Sequence, residues 1–209
     1  MRARLAPIVL GFAIALGAGC AHQTPQPPTA ALQGTIQTAP GRHPRTPIED
    51  TVIFLVSEGD AATPGPPPTH QAPTIVTEDA RGLRPTVVAL PVGSRVEFRN
   101  HDQVFHMPFS ISPAQPFHTG ALGPGESHTV LFDHAGAIHV FCELHPAESA
   151  FIYVVPTRHF TRADPHGRFH FWGVAPGAYT LRTWHPERGE TSQAVVVPSH
   201  GELKVTIAD

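Results

Sequence analysis

Proline and glycine set the first limit on this chain. They number 24 and 18 among 209 residues, about a fifth of the total against roughly 12% in average usage. Proline inside a helix removes a hydrogen bond and clashes with the preceding turn, and glycine gives up backbone entropy there. At this density few stretches are long enough for a helix, whereas short strands fit between the breaks. An all-α architecture is excluded.

Strand-like runs do appear between the turn residues. Residues 51–56 are apolar on both faces and predict a buried strand. Runs at 86–90, 95–98, 129–132, 138–141 and 151–155 are divided by Pro91-Val92-Gly93, Gly123-Pro124-Gly125 and Ala135-Gly136. A further set at 168–171, 179–183, 193–197 and 203–207 is divided by Asp164-Pro165-His166-Gly167 and Ala175-Pro176-Gly177. Strands at this spacing predict an all-β chain in two sandwiches.

Charge narrows the partners. The formal net charge is −3 and Lys204 is the only lysine, so no basic stripe exists for a nucleic acid. The 15 histidines raise the expectation of a metal without locating it. At the N-terminus, Arg2 and Arg4 precede an apolar stretch at 5–16 and the small residues Gly17-Ala18-Gly19 before Cys20. This is the pattern of a secretory signal, too short for a comfortable membrane span.

Leu16-Gly17-Ala18-Gly19-Cys20 resembles a bacterial lipoprotein box, which implies lipidation of Cys20 and a periplasmic protein anchored to the outer membrane. The alternative is ordinary signal cleavage with Cys20 lost. Residues 21–33 read as a Pro-rich tether, and the Pro-rich stretch at 63–68 as a loop. With Cys20 lipidated or removed, Cys142 has no partner. An unpaired cysteine in an oxidising compartment is expected to be buried, catalytic or metal-bound.

Chemistry concentrates at two strand ends. Phe141-Cys142-Glu143-Leu144-His145-Pro146 follows one strand and Asn100-His101-Asp102-Gln103-Val104-Phe105-His106 follows another. Such loops can bring His106, Cys142 and His145 together, and one thiolate with two imidazoles is the equatorial set of a blue-copper site.

The stretch 86–155 resembles the cupredoxin fold, and more narrowly the exported methylamine-utilisation-like cupredoxins. The residues that carry the likeness are Val96-Glu97-Phe98-Arg99-Asn100-His101-Asp102, His106, Phe109-Ser110-Ile111-Ser112, Gly123-Pro124-Gly125-Glu126 and Val140-Phe141-Cys142-Glu143-Leu144-His145-Pro146. The resemblance implies a Greek-key sandwich over 73–156 with one mononuclear copper on His106, Cys142 and His145. In that family the loop usually continues to an axial methionine; here the position is Glu148. As an axial ligand its carboxylate is a harder donor that stabilises Cu(II); the alternative is a solvated charge at the rim. Other axial donors are the Phe105 carbonyl and, less favoured because it adjoins His106 on an extended segment, Met107. His118 stands where the family shows an aspartate.

Residues 164–171 and 174–181 resemble a carboxypeptidase regulatory-like (transthyretin-like) module, implying a second small Ig/transthyretin-like β-sandwich over 157–209. That span holds too few strands for a complete sandwich. Either the strands at 34–60 complete it, with the cupredoxin inserted between, or the early strands belong to the cupredoxin in linear order. Insertion predicts contacts between residues 52–56 and 179–183.

The expected function is one-electron transfer to a periplasmic redox protein, with a membrane attachment through the lipid, no nucleic-acid partner and no enzymatic activity. Two alternatives stand beside it: copper handling without redox turnover, and a structural sandwich with a buried cysteine.

Overall fold

A computed structural model describes residues 29–37, 46–57 and 72–208. The signal segment, Cys20, the loop at 63–68 and most of the tether lie outside them. The strands are β1 (Ala30–Gln37), β2 (Val52–Ser57), β3 (Thr74–Asp79), β4 (Gly82–Arg84), β5 (Val87–Pro91), β6 (Ser94–Asn100), β7 (Pro108–Ser110) and β8 (Phe117–His118). They continue with β9 (Ser127–Phe132), β10 (Gly136–Cys142), β11 (Ser149–Val155), β12 (Phe160–Arg162), β13 (Arg168–Val174), β14 (Gly177–His185), β15 (Gly189–Val197) and β16 (Glu202–Ala208). The molecule is all-β, and its helical content among the described residues is one 3-10 turn, Ile48–Asp50.

Four sheets form two sandwiches. In the first, the order β13-β1-β16 faces β12-β2-β14-β15 across a core that includes Leu32, Leu55, Phe169 and Leu181. In the second, β4-β3-β6-β9 faces β5-β11-β10-β7-β8 across Val96, Phe98, Phe132, Ile138 and Ile152. Strand β2 lies antiparallel to β14, with Val56 opposite Thr180 and Val52 opposite Trp184. Strand β1 runs parallel to β16 and antiparallel to β13. Strands from before residue 58 therefore share the first sandwich with strands from after residue 159, and the segment between them builds the second.

Strand β1 begins inside the span 21–33 expected as a tether. The chain is already strand at Ala30, because Ala30 and Leu32 alternate into the first core and remove apolar surface from water.

The two sandwiches also stack on each other, which explains why β2 and β11 are apolar on both faces. Ile53 and Leu55 face the first core, while Val52 and Phe54 face outward. Ile152 and Val154 face the second core, while Tyr153 and Val155 face outward. The outward rows meet with Val87 and Trp184 in a third buried cluster. Trp184 stacks on Tyr153 with centroids 4.8 Å apart. The Tyr153 hydroxyl donates to Glu190 Oε1 at 2.6 Å, so the join has a polar pin as well as apolar area.

Candidate metal centre

Strand phase delivers the site. Along β10, Ile138, Val140 and Cys142 point inward, so the sulfur takes the last inward place of the strand. Along β6 the inward row is Val96, Phe98 and Asn100; along β3 it is Val76 and Glu78. In the parallel register of β3 with β6, Glu78 lies beside Asn100. A thiol, an amide and a carboxyl thus replace aliphatic side chains where these rows end.

Asn100 fixes the loop that carries His106. Its Nδ2 donates to the carbonyls of Val104 at 2.7 Å and Leu122 at 2.9 Å, and its Oδ1 accepts from the Asp102 N–H at 2.8 Å. His106 then pairs by backbone with Leu122 in both directions, at 3.0 and 2.7 Å. The two ligand loops are tied together as well. The Met107 N–H donates to Cys142 Sγ at 3.3 Å, and the Glu143 N–H donates to the Met107 carbonyl at 3.0 Å. The Glu148 N–H donates to the His145 carbonyl at 2.9 Å, closing the turn after Cys142.

The donor atoms converge. His106 Nδ1 lies 3.2 Å from His145 Nδ1 and 3.7 Å from Cys142 Sγ; Cys142 Sγ lies 3.6 Å from His145 Nδ1. Glu148 Oε2 is 3.4 Å from His106 Nδ1 and 4.0 Å from His145 Nδ1. All four ligand atoms fall within 4.8 Å of one another. Two donors held about 2.0–2.3 Å from one ion, at angles between tetrahedral and trigonal, stand roughly 3.2–3.8 Å apart. The triangle of His106, His145 and Cys142 has those edges. Glu148 Oε2 is buried without a hydrogen-bond partner, as a carboxylate aimed at a cation would be. The residues fit a metal. The site could hold one ion.

Without an ion, two acids that meet here, Cys142 and Glu78, hold their protons more tightly than usual. Burial pushes the Cys142 thiol above its ordinary value, against the pull of the Met107 N–H, and the Glu78 charge pushes it further. Burial also holds the Glu78 carboxyl well above the usual carboxylate range; the Cys142 thiol draws it back and Glu148 raises it. A cation bound here would displace such protons, which makes its binding pH-dependent.

The remaining sequence-level residues take other places. Met107 contributes its backbone N–H to the sulfur. His118 lies outside the cluster, at the surface, and its Nε2 pairs with Glu143 at 3.0 Å. His139 is sandwiched between Phe141 and Phe151, with centroids 3.9 and 4.0 Å away. Trp184 is buried between the sandwiches and Trp172 is exposed. Among the described residues, the site histidines are the ones that gather with a thiol.

Sequence reasoning missed Glu78. The signal was a charged residue in the inward row of β3, but adjoining Ile75 and Val76 leave the phase of that strand ambiguous in sequence. It also assigned no separate role to Asp102, whose Oδ2 lies 3.6 Å from His106 Nε2. That separation is too long for a hydrogen bond, and His106 Nε2 is buried without a partner.

No family model matches the chain, and no curated protein matches it. Among solved structures, a purple cupredoxin from Nitrosopumilus maritimus is 22% identical, covering 39% of this chain and 99% of its own, with a TM-score of 0.37. A mutant amicyanin in its reduced form is 14% identical, covering 42% of this chain and 87% of its own, at 0.39. A copper-containing nitrite reductase from Thermus scotoductus SA-01 is 24% identical, covering 57% of this chain and 28% of its own, at 0.40. Likeness at those scores carries no argument, and the case for the site stands on its own atoms.

Proposed function

We propose that His106, Cys142 and His145 hold one copper ion, with Glu148 as a fourth donor, and that the protein carries single electrons on a cupredoxin-like sandwich. The observation that carries this reading is the triangle of one sulfur and two imidazole nitrogens with edges of 3.2–3.7 Å. Soft sulfur suits Cu(I), and imidazole serves both oxidation states. When bound, copper supplies one-electron redox chemistry.

The chain's own residues do the rest. The Met107 N–H holds negative charge on Cys142 Sγ. Asn100 and the His106–Leu122 pairing keep one ligand loop in place, so the donors move little when the charge of the ion changes. His106 is 1% exposed and His145 is 35% exposed by side chain. The His145 ring is therefore the edge through which an electron leaves. Leu144 beside it, and Val104 and Phe105 beside His106, are exposed apolar residues suited to a brief contact with a redox protein.

The reading is of a carrier rather than an enzyme. The arginines, apolar stretch and Cys20 of residues 1–20 support export, a lipid anchor and a periplasmic partner. A second reading, copper handling without redox turnover, draws on the carboxylate of Glu148 in place of a thioether.

The test is the visible and EPR spectrum of the purified protein loaded with Cu(II), beside Cys142→Ser. An intense thiolate-to-copper band, lost in the variant, is the expected result. A colourless protein with ordinary Cu(II) signals that ignore the substitution would overturn it. Reversible reduction of the bound copper separates electron transfer from handling, in which Cu(I) would exchange freely.

A further inference from the structure

Glu78 is 1% exposed, and neither of its oxygens has a hydrogen-bond partner. No Lys or Arg pairs with it among the ion pairs of the described residues; His106 Nδ1 lies 3.3 Å from Oε1, and the Cys142 thiol and the Glu148 carboxyl also act on it. A buried carboxylate in that state is heavily penalised unless something cationic compensates it. His106 Nδ1 cannot answer alone. It carries at most one proton, yet it faces His145 Nδ1, Cys142 Sγ, Glu148 Oε2 and Glu78 Oε1 at 3.2, 3.7, 3.4 and 3.3 Å. A cation at the group formed by His106, Cys142, His145 and Glu148 would also compensate the Glu78 carboxylate beside it.

The hairpin of β3 and β4 confirms that this segment belongs to the site. Gly82, at its turn with φ of +86°, packs so closely on Glu148 that a Cβ there would stand 3.3 Å from Cγ. One hairpin therefore contributes Glu78 from its first strand and seats Glu148 with its turn.

Resting on the copper reading above, we propose that Glu78 is a further direct donor to the ion. It approaches from the strand side of the site, while Glu148 approaches from the loop. Two carboxylates added to a thiolate make a donor set of high negative charge with hard oxygen atoms. Such a set favours Cu(II) over Cu(I). The site then holds copper most firmly when oxidised.

The experiment compares the purified protein with Glu78→Gln, which keeps the volume and removes the charge. Glu78→Asp, which keeps the charge and withdraws the oxygen, serves as a second variant should the first fold poorly. Affinities for Cu(II) and Cu(I) are measured by chelator competition, with the EPR spectrum and reduction potential of the loaded forms and the melting of the metal-free forms.

Glu78→Gln is expected to weaken Cu(II) binding about tenfold with Cu(I) binding little changed, which raises the potential by about 59 mV. It should also alter the EPR splitting. Glu78→Asp should shift affinity and potential in the same direction by less. A folded Glu78→Gln whose EPR spectrum, potential and affinities match the parent overturns the proposal, while leaving the thiolate band and the copper reading intact. A parent protein without a cysteine-dependent band removes the copper reading itself, and Glu78's role with it.

Discussion

Asn100 is the side chain on which the position of His106 most depends, and its removal can be worked from three bonds. Asn100→Ala deletes the donors to the Val104 and Leu122 carbonyls and the acceptor for the Asp102 N–H. Two of these bonds are half-buried, so water recovers part of each, and about 1 kcal/mol apiece is a fair net loss. The Leu122 partner is buried, and leaving it unsatisfied costs about 1–3 kcal/mol. The expected total is about 3–5 kcal/mol. At about 2–4 °C per kcal/mol for a chain of this size, the metal-free protein should melt roughly 6–20 °C lower, read by circular dichroism.

Asn100→Asp sharpens the test. It keeps the acceptor for Asp102 but turns oxygen toward two carbonyls. Its carboxyl, buried with one oxygen turned on two carbonyls and only the Asp102 N–H as donor, would be held above its unfolded value. A raised carboxylate loses stability as pH climbs from about 4, so the Asp variant should fall further behind as pH rises, while the Ala variant's deficit stays flat. Melting of Asn100→Ala within about 2 °C of the parent, or of Asn100→Asp independent of pH, would refute the latch.

Three other outcomes follow from the packing. Trp184→Ala should destabilise by about 3–5 kcal/mol, because Trp184 is buried against Tyr153 between the sandwiches, whereas Trp172→Ala should stay within about 0.5 kcal/mol because Trp172 is exposed; equal effects in denaturant titrations would contradict the stacked arrangement. Gly34→Ala places a Cβ 2.4 Å from Phe169 Cζ and 2.7 Å from the Val205 carbonyl oxygen on the neighbouring strand, and a loss of about 1–3 kcal/mol or more is expected, with unchanged melting as the contrary result. Asp164, which accepts from the backbone N–H of Arg168 and its guanidinium and from His166 N–H, is held down to about 2. A depressed carboxylate supports the fold above its unfolded value and loses that support as pH falls toward 2. An NMR titration of Asp164 near its ordinary value would count against the turn it closes.

Much of this protein is legible one residue after another. Proline and glycine exclude long helices. Runs such as 138–141 and 151–155 mark strands that the structure extends to Gly136–Cys142 and Ser149–Val155. The alternation of β10 is local information, and so is the fact that Cys142 ends its inward row. The loops that carry His106 and His145 were recognisable because their residue types are ligands.

Pairing across the chain was not legible. The apolar faces of β2 say that it is buried on both sides. They do not say that one side meets β14's sandwich core and the other meets Tyr153 and Val155, about a hundred residues away. Backbone hydrogen bonds in a sheet carry no sequence code of their own, so the partner is chosen by which faces can be buried together. Glu78 shows the same limit at the site. In sequence it is one carboxylate among 17 acidic residues. Only the parallel register of β3 with β6 sets it beside Asn100 and within 3.3 Å of His106. The sequence determined which atoms were available to bind; the packing of two sheets decided which of them meet, because convergence in space is a property of the register and not of the spacing along the chain.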